Sequence, residues 1–182
     1  MILAIDIGNT TVTLGGVQTA AQTYSLEFTA RIDINYEWSA GQYDTAIGQL
    51  LENENLSPSD FRGIIISSVV PPVLTLLQEC VRHLFGMEPL LVTSESDLGM
   101  TFSIPHPEKV GRDRLVDASW AAAHYPLPVI TGDLGTATTF NVIQENSVFC
   151  GGAIAPGLDM GLNALAERTA QLPRLDLQTP VR

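Results

Sequence analysis

Apolar residues run from the start of the chain to Asp6-Ile7-Gly8-Asn9. A second run, 11–17, alternates and is rich in Thr and Val, and 23–32 (TYSLEFTARI) alternates again. Period-two alternation fits strands, and a Gly-Asn pair between two such runs is a hairpin signal. Three antiparallel strands are therefore expected over 2–7, 11–17 and 23–32. Over 38–51, Trp38, Ile47, Leu50 and Leu51 share one helical face, weakened by Gly41 and Gly48. The polar stretch 53–60 with Pro58 reads as a loop. The run 63–70 (GIIISSVV) is continuous and largely β-branched, as in a buried parallel strand. Pro71-Pro72 ends it and suits the start of a helix over 73–85. A short strand is expected at 88–93. A long loop follows over 94–109, with an edge strand at 101–104. An Ala-rich helix is expected over 111–124, stopped by Pro126 and Pro128.

The opening pattern then returns. Residues 129–133 lead to Asp133-Leu134-Gly135-Thr136-Ala137-Thr138, the same scheme as Asp6-Ile7-Gly8-Asn9-Thr10-Thr11. Residues 138–143 alternate, 145–146 make a turn, 147–154 form a third strand, and Pro156-Gly157 leads into a helix over 159–170. One repetition at this long spacing predicts a duplicated lobe rather than a short-period solenoid. The expected division is 1–110 and 111–182.

Composition narrows the function. The 182 residues are 45% hydrophobic and 16% charged, enough for a filled core. With 9 basic against 20 acidic residues, the net charge of −11 argues against nucleic-acid partners and anionic membranes. An anionic ligand must be held locally, by backbone amides, a metal ion or a few Arg. Cys80 and Cys150 form neither a metal framework nor a disulfide scaffold, and are expected as buried free thiols. The first residues lack a basic n-region, and no apolar stretch reaches about 18 residues. The expectation is a cytoplasmic protein.

Three constellations carry candidate chemistry. Gly8, Asn9, Thr10 and Thr11 offer amides and hydroxyls that cradle phosphate oxygens without Lys, and Asp6 stands where it can hold a water on Mg²⁺. The same residues also make a plain hairpin, with Asp6 bonding its turn. The repetition at Asp133-Leu134-Gly135-Thr136 favours function: two such hairpins facing a cleft would clamp a nucleotide. No Walker-type or Gly-x-Gly-x-x-Gly sequence is present. Second, Lys109, Arg112 and Arg114 cluster around Asp113. Arg114 suits a substrate carboxylate and Asp113 a substrate hydroxyl. From spacing alone, a solvated helix N-terminus with Asp113 on the favourable end of the dipole is the simpler reading. Third, Gly151-Gly152 and Pro156-Gly157 join a strand to a helix, either as a close-approach site for an anion or as a strand end with a tight turn. His83, His106 and His124 share no ligand spacing. Trp38 and Trp120 read as packing residues.

Taken in order, Asp6-Ile7-Gly8-Asn9-Thr10, Gly111-x-Asp113-Arg114, Asp133-x-Gly135-Thr136-Ala137-x-Thr139, Gly151-Gly152-x-Ile154-x-Pro156-Gly157 and Thr169-Ala170-x-Leu172-Pro173 resemble type III pantothenate kinases. The resemblance implies an α/β fold of two ribonuclease H-like lobes, as in the acetate kinase/Hsp70/actin superfamily, and a homodimer. It implies ATP-dependent phosphorylation of pantothenate, the first step to coenzyme A, with Mg²⁺ and a monovalent cation, K⁺ or NH₄⁺. By position, Asp6, Ile7, Gly8, Asn9, Thr10, Thr11, Val12, Thr13 and Thr136 would bind ATP. Gly111, Arg112, Asp113 and Arg114 would bind pantothenate, with Asp113 as proton acceptor. Asp133 would ligate the monovalent cation. Arg112, Ile104 and Asn141 depart from the usual pattern. Family members continue past residue 182, so the second lobe is expected to be incomplete. The alternative reading is a non-catalytic accessory relative.

Overall fold

The computed structural model describes residues 1–20, 23–169 and 171–175. Two compact units emerge, one of residues 1–96 and 110–116, the other of 97–109 and 117–182.

The first unit opens with β1 (Ile2–Ile7), β2 (Thr11–Ala20) and β3 (Thr23–Asp33). It continues with α1 (Ala40–Asn53), β4 (Gly63–Ser68), α2 (Pro71–Phe85) and β5 (Leu90–Leu91). The sheet order is β3-β2-β1-β4-β5, with the first three strands antiparallel and β4 and β5 parallel to β1. Leu3, Ile5 and Ile7 pair with Ile64, Ile66 and Ser68 and face the core. Tyr43, Ile47 and Leu51 of α1, spaced by four, and Val73, Leu77, Val81 and Phe85 of α2 join them in one hydrophobic cluster. The other sheet face carries Ala4, Asp6, Thr13, Ile65 and Ser67.

Local chemistry sets the boundaries. α1 begins at Ala40 because the Gln42 side chain accepts the Ser39 N–H at 2.9 Å, one half of a capping box. Both Pro71 and Pro72 fit inside the first turn of α2, which ends at Gly86 in the left-handed conformation (φ 64°). β5 is shorter than the expected 88–93: only Leu90 and Leu91 pair, and Pro89 has no N–H to contribute.

The second unit contains β6 (Thr101–Phe102), most of α3 (Arg112–His124), β7 (Val129–Leu134), β8 (Ala137–Gln144), β9 (Val148–Pro156) and α4 (Leu158–Arg168). Its sheet order is β6-β9-β8-β7. The stretch 97–109 groups here because β6 pairs in parallel with Val148 and Phe149 of β9, with Phe102 edge-on to Phe149 at 5.8 Å. Residues 110–116, by contrast, group with the first unit. Burial is thinner than in the first unit. Ile130, Phe140 and Leu134 share one sheet face and are 67%, 42% and 75% exposed. Leu165 of α4 is exposed as well. Both thiols are free, but Cys150 is only half-buried. Trp120 is exposed and stacks on His124. Ala170, within the last matching motif, lies outside the described residues.

Candidate functional site

The first hairpin turns between the paired residues Ile7 and Val12. Gly8 N–H donates to the Thr11 carbonyl at 3.0 Å, Ile34 N–H to the Thr10 carbonyl at 2.9 Å, and the Tyr36 hydroxyl to the Asn9 carbonyl at 3.2 Å. Among the described residues, the exposed Asn9 and Thr10 donate their own amides to no acceptor. Two exposed amides without acceptors on a glycine-led turn are donors of the kind that bind phosphate oxygens.

Asp6 occupies the end of β1 just before this turn, paired with Thr13 on β2 and Ser67 on β4. Paired positions share a sheet face. Ser67 is 6% exposed, and its Oγ has no hydrogen-bond partner among the described residues. A buried hydroxyl of this kind is costly unless something satisfies it.

The segment Gly111–Arg114 packs at the same strand ends. Arg112 Nη1 donates to the Ser68 carbonyl at 3.2 Å, and Val69 N–H donates to the Ile7 carbonyl at 3.1 Å. Arg112 thus ties α3 to the end of β4. Asp113 lies in the first turn of α3, where its Oδ1 accepts the Arg114 N–H at 2.8 Å. A Cβ at Gly111 would meet Asp113 Oδ1, so any larger residue there has to displace that side chain. One unit therefore brings Asp6, the 8–11 turn and the 111–114 segment together, at the C-terminal ends of parallel strands where α/β sheets bind ligands.

Asp133 and Thr136 belong to the second unit. Its hairpin is one residue shorter: Leu134 pairs with Thr138 and leaves 135–137 in the turn, against 8–11 in the first. Asp133 pairs with Thr139, which is 8% exposed and whose Oγ1 lacks a partner among the described residues. Next along the face, buried Asn141 donates its Nδ2 to Thr131 Oγ1 at 3.0 Å. Gly157 closes the arrangement: its N–H donates to the Thr136 carbonyl at 3.2 Å, and a Cβ there would collide with the backbone of Gly135 and Thr136. The strand-to-helix glycine thus seats α4 against the turn.

Sequence reasoning missed Ser67 and Tyr36, and named Thr139 only as the end of a matching motif, with no role. Ser67 and Thr139 were recognisable only as polar breaks in strand patterns, and Tyr36 gave no signal. Among the described residues no three His, Cys, Asp or Glu side chains cluster as a metal site, and no helix is long and apolar enough to cross a membrane.

The two strand–turn–strand units, β1–β2 and β7–β8, give the chain the fold of the acetate kinase/Hsp70/actin superfamily. The crystal structure of the Aquifex aeolicus Ppx/GppA phosphatase, type II variant, shares that fold with a TM-score of 0.52 at 13% identity, over 92% of this chain and 54% of that one. The type III pantothenate kinase family matches residues 2–182. The chain is 40% identical over 178 residues to a type III pantothenate kinase of Listeria monocytogenes serotype 4a (strain HCC23). It is 37% identical over 180 residues to one of Finegoldia magna. These matches cover 97% and 99% of this chain and 67% of each relative. The chain belongs to the type III pantothenate kinase family, and it spans about two thirds of the length of these curated relatives.

Proposed function

We propose that the chain binds ATP and pantothenate and transfers the γ-phosphoryl group to the primary hydroxyl of pantothenate. The observation that carries this reading is the convergence, within one unit, of the 8–11 turn and the Gly111–Arg114 segment on the ends of β1 and β4. The turn's amides hold phosphate oxygens. The Arg114 fork holds the pantothenate carboxylate. Asp113 orients the hydroxyl and takes its proton as the oxygen attacks the γ-phosphorus. The bond from the γ-phosphorus to the β–γ bridging oxygen breaks, and ADP and 4'-phosphopantothenate leave. Positioning and electrostatics supply most of the acceleration in phosphoryl transfer, so a carboxylate of ordinary basicity suffices.

The residues present fit the cations. Mg²⁺ takes one or two carboxylates and completes its shell with phosphates and water. Asp6, paired with Ser67, whose hydroxyl has no partner among the described residues, suits that arrangement. Asp133 and the Thr139 hydroxyl, which has no partner among the described residues, are an oxygen pair that suits K⁺ or NH₄⁺. Bound there, the cations would offset phosphate charge. Thr136 would contact the nucleotide from the second hairpin. A homodimer is part of the same proposal.

ADP release measured with and without pantothenate tests the reading. Pantothenate-dependent release, with 4'-phosphopantothenate as product, is expected. ATP binding with no phosphorylated product would point instead to the accessory role.

A further inference from the structure

The geometry points to Tyr36 as a positioning residue for the phosphate-binding turn, an inference that rests on the ATP reading above. A trans peptide group is planar, with its C=O and N–H pointing in opposite directions. Whatever holds the Asn9 carbonyl therefore aims the Thr10 amide, and whatever holds the Thr10 carbonyl aims the Thr11 amide. The Tyr36 hydroxyl holds the first at 3.2 Å, and the Ile34 N–H holds the second at 2.9 Å. The Thr10 amide, directed away from Tyr36, donates to no acceptor among the described residues.

The strap that presents Tyr36 is itself fixed to the core. The hydroxyl of fully buried Tyr43 in α1 donates to the Asn35 carbonyl at 3.3 Å. Burial pushes the Tyr43 phenol above its ordinary pKa, an effect partly offset by this bond, so the donor keeps its proton at neutral pH. Asn35 Oδ1 accepts the Glu37 N–H at 2.9 Å, its carbonyl accepts the Trp38 N–H at 3.2 Å, and Trp38 packs edge-on against Tyr43 at 5.2 Å. Tyr36 itself is 63% exposed. Its ring contributes little to the core, and its hydroxyl reaches a turn carbonyl that no backbone N–H holds among the described residues.

The test is Mg·ATP binding to the whole chain, followed by calorimetry and by the Thr10 amide resonance in ¹⁵N-labelled protein, for wild type and Tyr36→Phe. Losing one exposed hydrogen bond should weaken ATP binding about 2- to 10-fold. It should also shift the Thr10 amide resonance before nucleotide is added, and leave the thermal midpoint and pantothenate affinity unchanged. Wild-type affinity in Tyr36→Phe overturns the inference, as does a loss that merely follows a lowered midpoint. Wild type that binds no ATP overturns both the inference and the ATP reading, an outcome distinct from failure in the variant alone.

Discussion

Thr139 stands directly opposite Asp133 on the neighbouring strand, and its buried Oγ1 has no hydrogen-bond partner among the described residues. Ser67 stands in the same relation to Asp6, on a parallel rather than an antiparallel neighbour. Each unit thus pairs an aspartate before its turn with an unsatisfied hydroxyl, although the two turns differ in length by one residue.

This pairing predicts a monovalent-cation effect. Thermal stabilisation by ATP should be greater in K⁺ or NH₄⁺ than in Na⁺ at equal ionic strength. Thr139→Val removes the hydroxyl while keeping the shape, so it should abolish that difference. Without cation or ATP it should cost little stability, since no partner is left unpaired. Equal stabilisation in all three salts would show that Asp133 serves only its turn.

The bare sheet face of the second unit predicts self-association. Ile130, Phe140 and Leu134 form a contiguous apolar surface of the kind that monomers seldom leave uncovered. Sedimentation of the 182-residue chain should show concentration-dependent assembly that Ile130→Thr with Leu134→Ser reduces. Hydrogen exchange should be slow in β4, whose Ile64 and Ile66 are buried, and faster in β7. Equal protection of the two strands would contradict the contrast in burial.

The two thiols should react differently. Cys80 is fully buried, and burial first, with the Asp44 carboxylate second, pushes its pKa well up. Its thiol therefore stays protonated, and unreactive, at pH 8. Cys150 is half-buried in the strand that carries the paired glycines. A thiol reagent at pH 8 should label Cys150 alone, and Cys80 only after denaturation. Fast labelling of both would mean that the first unit opens readily.

The Gly111 position offers a stability-independent probe of the site. Gly111→Ala places a Cβ against Asp113 Oδ1 and must move that side chain. Turnover should fall while the thermal midpoint changes by only a few degrees. A large drop in midpoint with unchanged activity per folded molecule would place the glycine's role in the fold instead.

Much of this architecture was legible in the sequence because period-two alternation and turn chemistry are local signals. The three-strand opening, the β-branched β4 and the repeated hairpin all lie within a residue or three of the expected bounds. An edge strand was expected at 101–104 and is found at 101–102, but its pairing with β9 was not legible, because a partner far along the chain is set by tertiary contacts. Nor was the regrouping of 97–109, which follows from that long-range pairing. At the site, glycines and aspartates stood out by motif. Ser67 and Tyr36 did not, and Thr139 appeared in a motif without a role, since their importance comes from cross-strand register and one hydroxyl's reach. Arg112 was expected at the substrate by resemblance, and its bond to the Ser68 carbonyl is a long-range contact that no local pattern gives.

The central claim is that Asp113, at the N-terminus of α3, acts on the pantothenate hydroxyl. Its most direct test is single-turnover phosphorylation by wild type and Asp113→Asn, with ATP affinity measured in the same samples. The substitution keeps shape and removes charge, so phosphoryl transfer should fall about 100-fold or more while ATP affinity holds. Equal rates in the two proteins would contradict the assignment.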